Sequence, residues 1–111
     1  MRTIKFRAWD KKRKIMLPEF DIIDAMTGST GNVPDNLLFL QYTGLEDRTG
    51  REIYEGDICQ LYLQEFVGKF EVVWHNSKWL YKVGKDNYFN FSFDSKVIGN
   101  IYENPELKEG N

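Results

Sequence analysis

Cysteine occurs once in these 111 residues, at Cys59, and histidine once, at His75. A lone cysteine excludes an intrachain disulfide framework and any zinc site built on a cysteine cluster. It fits a reducing cytoplasm, which is the location expected. No apolar run approaches the ~20 residues that cross a bilayer, so no membrane partner is expected. The opening MRTIKFRAWD alternates and lacks a long apolar stretch, so a secretory signal is not expected either. The glycines fall into neither the dinucleotide nor the P-loop spacing, and no cofactor is implied. The chain contains no internal repeat and no low-complexity segment.

Aromatic residues, by contrast, make up 15% of the chain, and apolar residues 41%. That is enough to pack a core and excludes a disordered tail. The length suits one domain. Net charge is −2, but unevenly placed. Residues 1–14 carry seven cations against Asp10, a net of +6, so the remainder sums to −8. Such asymmetry has two readings: a basic patch for nucleic acid, or a hairpin turn coated in solvated lysines that protects an edge strand.

Strand patterning runs through most of the chain. Ile4, Phe6 and Ala8 alternate with Thr3, Lys5, Arg7 and Trp9, which predicts a half-buried strand. Asp10–Lys14 is a polar turn, and Ile15, Met16 and Leu17 return as a short strand. Residues 18–36 form a long loop around Thr27-Gly28-Ser29-Thr30-Gly31-Asn32, with room for a short helix at Ile22–Met26. Leu37–Tyr42 is a strand. Turns follow at 46–50 and 55–57, the first suited by Gly50. Five strands then succeed one another: Asp57–Leu63, Lys69–His75, Trp79–Val83, Tyr88–Phe93 and Val97–Tyr102. Gly99 marks a bulge or a close approach. Asn104 and Pro105 are placed to cap and open one helical turn.

The expected fold is therefore mainly β, a small antiparallel SH3-like barrel of about five strands with an N-terminal β-hairpin extension. Residues 1–54 would form the hairpin and loop region, packed on a barrel-like unit at 55–111 within one structural domain.

Three stretches carry a family resemblance. They are IKFRAWD (Ile4–Asp10), QYTGLEDRTGREIYEGDI (Gln41–Ile58) and VIGNIYENPEL (Val97–Leu107). Together they resemble the YopX family. The resemblance implies a small β-rich protein encoded by a phage or prophage in a bacterial host cell. It implies no catalytic residues and no binding residues.

Chemical candidates are few. His75 ends a strand without a serine or cysteine motif beside it, which reads as a turn histidine rather than a catalytic base. Cys59 alternates onto the face of Leu61 and Leu63 and reads as a core thiol. Glu52, Glu55 and Asp57 are spaced for a metal or a shared proton, but equally for a turn. No enzyme, catalytic residue or metal site is expected. A surface for nucleic acid or a protein partner would comprise Arg2, Lys5, Arg7, Trp9, Lys11 and Lys12, with Trp9 on the face of Lys5 and Arg7. Trp9 would pack on a second layer, meet a protein or stack a base. The expected function is a non-enzymatic interaction or assembly module, acting as a homo-oligomer or with a phage or host protein. A weak nucleic-acid-associated protein is the alternative.

Overall fold

The computed structural model describes residues 5–18, 36–63, 66–83, 85, 87–90 and 94–109. Among them run nine strands and one short helix. Strands β1 (Phe6–Asp10) and β2 (Ile15–Leu17) form the expected hairpin, with Ala8 opposite Leu17 and Asp10 opposite Ile15. Asp10 builds its turn: Oδ1 accepts the amides of Lys12 and Arg13, each at 3.0 Å. Lys14 closes the turn in the left-handed region, at φ 60°.

Strand β3 (Leu37–Glu46) pairs with β1 on one side and with β4 (Glu52–Tyr54) on the other. It runs four residues beyond the expected Tyr42. Gly44, at φ 88°, lies within a register shift between Tyr42 and Glu46 that lets the strand continue through it. Thr43 Oγ1 steadies that irregularity by donating to the Ile53 carbonyl at 2.8 Å. Strand β4 was not expected from the sequence, because three residues are too few to show a period. The first sheet has the order β2-β1-β3-β4.

The second sheet comprises β5 (Asp57–Leu63), β6 (Phe66–His75), β7 (Lys78–Val83), β8 (Asn87–Asn90) and β9 (Ser95–Asn100). Its order is β8-β7-β6-β5-β9, a four-strand meander from β5 to β8 with the fifth strand, β9, returning beside β5. The mainly β expectation is met, with five strands after Glu55. The architecture is two antiparallel sheets, one curled into a half-barrel. The N-terminal part is larger than a hairpin because β3 and β4 join it.

The main core lies on one face of the second sheet. Cys59 and Leu61 of β5, Phe70 and Val72 of β6, Tyr81 of β7 and Val97 of β9 pack together there. Ile53 of β4 inserts into the same cluster, so the first sheet contributes to the core of the second. Each such fully buried large side chain stabilises the fold by about 1.5–3 kcal/mol. Tyr81 is the largest fully buried side chain among the described residues, and its hydroxyl donates to Ser95 Oγ at 2.9 Å. A satisfied hydroxyl lets a tyrosine lie fully inside.

Strand β9 starts and stops two residues earlier than expected. Asn100 Oδ1 accepts the amides of Tyr102 and Glu103 at 3.0 and 2.8 Å, and this turn ends the pairing. Ile58 pairs with Gly99 and Cys59 with Val97, which leaves Ile98 as the bulged residue. Gly99 is the close approach expected: a methyl there would lie 2.6 Å from Asn104 Oδ1 and 2.8 Å from Leu107 Cδ1. Helix α1 (Pro105–Glu109) follows. The side chain of Asn104 does not cap it as expected. Its Oδ1 accepts the Asn100 amide instead, at 3.2 Å. The readings of Arg2, of a helix at Ile22–Met26, of the loop at 27–32 and of a strand continuing to Phe93 lie outside the described residues. Among the described residues, no helix is long and apolar enough to cross a membrane.

Candidate functional site

The five described residues of the expected interaction surface do not share an open face. Lys5 reaches Glu52 of β4 at 2.5 Å, and its ammonium lies 5.5 Å from the Tyr42 ring. The hydrogen bond to Glu52 raises the Lys5 pKa. Arg7 is largely buried, reaching Asp57 at 2.5 Å and lying over the Tyr54 ring at 4.6 Å. Trp9 is only 7% exposed and stacks on Tyr102, with ring centroids 5.8 Å apart. That face of β1 looked half-wet in the sequence, but the segments around Asp57 and Tyr102 cover it. Of the six, Lys11 and Lys12 stand exposed on the turn, and Arg2 lies outside the described residues.

The neighbouring cation Arg13 pairs with Asp10, Nε to Oδ2, at 2.7 Å. Asp10 also accepts Asn36 Nδ2 at 2.8 Å. The Arg13 amide, its guanidinium and the Asn36 carboxamide hold the Asp10 carboxyl well below the usual carboxylate range.

The three carboxylates considered for chemistry are dispersed into separate contacts. Glu52 accepts from Lys5 and from the Tyr54 hydroxyl, the latter at 3.2 Å. Burial and the Glu52 charge push the Tyr54 phenol up to about 12. Asp57 is buried, and its Oδ2 accepts the Tyr54 amide at 2.8 Å, the turn-making role expected of it. Burial pushes its pKa up, while Arg7 and the Tyr54 amide pull it back only in part. Glu55 contributes its amide to the Gln41 carbonyl at 2.9 Å. His75 lies at the far end of β6 and stacks on Tyr88, with centroids 4.0 Å apart and planes 11° from parallel. Among the described residues no hydrogen bond or ion pair joins His75 to any of the three acids. Cys59 is fully buried, and burial with the nearby Asp57 and Asp47 charges pushes its thiol up to about 12. No group of three or more metal-ligating side chains occurs among the described residues.

Sequence reasoning passed over Asp47, which is the most highly coordinated acid of the second sheet's margin. Its Oδ1 accepts the Thr49 amide at 2.8 Å, the Thr49 hydroxyl at 2.7 Å and the Arg51 amide at 3.0 Å. Its Oδ2 accepts the amide of Val97, fifty residues away, at 2.8 Å. The Arg48 amide donates to the Ser95 carbonyl at 2.9 Å. The β3–β4 turn thus occupies backbone groups along the outer edge of β9, with a carboxylate standing where a strand carbonyl would be. Hydrogen bonds hold the Asp47 pKa down against the opposing effect of burial. The motif Asp-x-Thr-Gly signals the turn, but nothing local announces the partner at Val97.

The family model for the YopX protein matches residues 20–109. The chain belongs to the YopX family. It is also similar to the crystal structure of protein EF1440 from Enterococcus faecalis, at 28% identity and a TM-score of 0.67. That likeness covers 96% of this chain and 99% of the other. No curated protein matches the sequence. The two-sheet YopX fold is therefore shared along nearly the whole chain, and the segments that carried the resemblance hold its buried contacts.

Proposed function

We propose that this YopX protein is a non-enzymatic interaction or assembly module that acts in the cytoplasm of a bacterial host as a phage or prophage product. The observation that carries the reading is an apolar face of the first sheet. Residues directly opposite in an antiparallel pair share a face. By that register Phe6, Ala8, Asp10, Ile15, Leu17, Leu37, Phe39 and Gln41 share one face, with Ala8, Asp10 and Leu17 buried at its centre. Phe6, Ile15 and Phe39 remain 38%, 40% and 36% exposed. Contiguous exposed apolar side chains mark association surfaces. The potential catalytic groups, in contrast, are tied into separate structural contacts. An SH3-like reading of the second sheet draws support from its strand order, since a barrel of that type needs a meander whose last strand returns to the first.

The oligomeric state tests this reading. Light scattering on the eluting full chain should give a dimer or larger species, and Phe39→Asp should shift it toward monomer. A wild-type chain that stays monomeric at every concentration, with no other protein bound through Phe39, would overturn it. The N-terminal hairpin as a nucleic-acid surface retains Lys11 and Lys12 as its exposed support among the described residues.

A further inference from the structure

Lys5, Arg7 and Arg13 are committed to carboxylates, whereas Lys11 and Lys12 stand exposed on the β1–β2 turn and further cations lie on the second sheet. Lys78 and Lys82 of β7 make no ion pair among the described residues. They share one face of the second sheet with His75 and Tyr88: His75 is opposite Lys78, and Tyr88 is opposite Lys82. The stacked His75 and Tyr88 rings meet along a diagonal that crosses Leu80, itself only 6% exposed. The two rings lie face to face, so each keeps one outer face for a further planar group, and Lys78 and Lys82 flank the stack, with Asn90 opposite Leu80. Glu71 lies on this face too, opposite Lys82.

We infer that this β6–β7–β8 face binds single-stranded nucleic acid, one base stacking on the Tyr88–His75 pair while Lys78 and Lys82 meet the flanking phosphates. The charge complementarity selects an anionic ligand, and the outer face of the ring stack selects one that also carries a planar base. An acidic peptide satisfies the lysines but not the rings. The surface is distinct from the apolar face of the first sheet, so oligomeric state and nucleic-acid binding stand or fall separately.

The experiment is fluorescence anisotropy of a labelled oligothymidylate of about 15 nucleotides with the full chain, at about 20 mM salt and upward. Binding is expected, and Tyr88→Ala should weaken it about tenfold, within the range of one lost base stack. Tyr88→Phe should bind like the wild type, which separates stacking from any effect on folding. The double variant Lys78→Gln/Lys82→Gln should reduce the slope of log affinity against log salt by about 1.4, from about 0.7 for each single-strand phosphate contact. Lys11→Gln/Lys12→Gln should leave the slope unchanged. Absence of binding at low salt would overturn the inference. So would a loss confined to the Lys11/Lys12 variant, or displacement by oligoglutamate as effective as by unlabelled oligothymidylate.

Discussion

Replacing Asp47 tests whether one carboxylate holds the two sheets in register. The Val97 amide that it accepts is buried, whereas the amides of Thr49 and Arg51 belong to an exposed turn. Turn donors regain water when the carboxylate is lost, but the Val97 amide does not. Asp47→Asn keeps one acceptor oxygen. If that oxygen serves the three turn donors, the carboxamide NH2 faces the Val97 N–H. If it serves Val97, the NH2 faces the turn. An unsatisfied buried donor costs about 1–3 kcal/mol, so the asparagine variant should lose about 2 kcal/mol. Asp47→Ala removes every partner and should lose about 3–5 kcal/mol, less than the sum of its bonds because they act together. The assay is urea unfolding at neutral pH, read as a shift in midpoint at constant slope. The sign of the pH dependence gives a second check. Because the folded Asp47 pKa is lowered, its contribution is complete above the ordinary carboxylate range and is lost as pH falls through the folded value. The gap between wild type and Asp47→Asn should therefore narrow on acidification. An asparagine variant within about 0.5 kcal/mol of wild type at pH 7, or a gap that widens in acid, would refute the reasoning.

Ser77 occupies the left-handed region at φ 62°, next to Asn76 at φ 51°, in the β6–β7 turn. Ser77→Gly should stabilise the protein by about 0.5–1 kcal/mol, measured as a raised urea midpoint; an unchanged midpoint would dismiss the strain. Gly99→Ala should cost about 1–3 kcal/mol, because its methyl collides with Asn104 and Leu107, and should hasten protease cleavage around α1. Arg7→Met should leave Asp57 buried without its cation and cost about 3–5 kcal/mol at pH 7. Losing the cation raises the Asp57 pKa further, so the carboxyl is uncharged in mild acid and the loss should shrink as pH falls; a loss independent of pH would count against the pair. Native Cys59 should resist a thiol reagent and react only on unfolding, whereas rapid native labelling would contradict its burial.

Strands were legible where alternation extended over five or more residues, as in Phe6–Asp10 and Asp57–Leu63. The three-residue β4 carried no period. Its identity is set by tertiary contact, through Ile53 in the core and Tyr54 against Tyr42, with ring centroids 5.5 Å apart. Trp9 was legible as a residue of interest, and of its three readings the structure bears out packing against a second layer. Alternation assigns a side chain to a face and cannot say whether a second layer covers that face. The acids were harder still. The turn-making role of Asp57 follows from its local sequence, yet its pairing with Arg7 spans fifty residues, as does the bond from Val97 to Asp47.

Those long-range partners give the charge asymmetry of the chain a structural cause. Within the +6 of residues 1–14, which already counts Asp10 against Arg13, Lys5 and Arg7 are neutralised by Glu52 and Asp57, which leaves a formal +4. The three segments that carry the family resemblance meet through the same contacts. The first joins the second through Arg7 and Asp57. It joins the third through Trp9 and Tyr102. The second joins the third through Asp47 and Val97, and again where Tyr102 lies against Gly56, so close that a methyl there would sit 2.9 Å from its ring. Gly56 at φ 86° is constrained by its backbone as well as by that ring. A signature made of interlocking partners records the requirements of a fold. In this chain the exposed candidates for binding are the apolar face of the first sheet and the Tyr88–His75 face of the second.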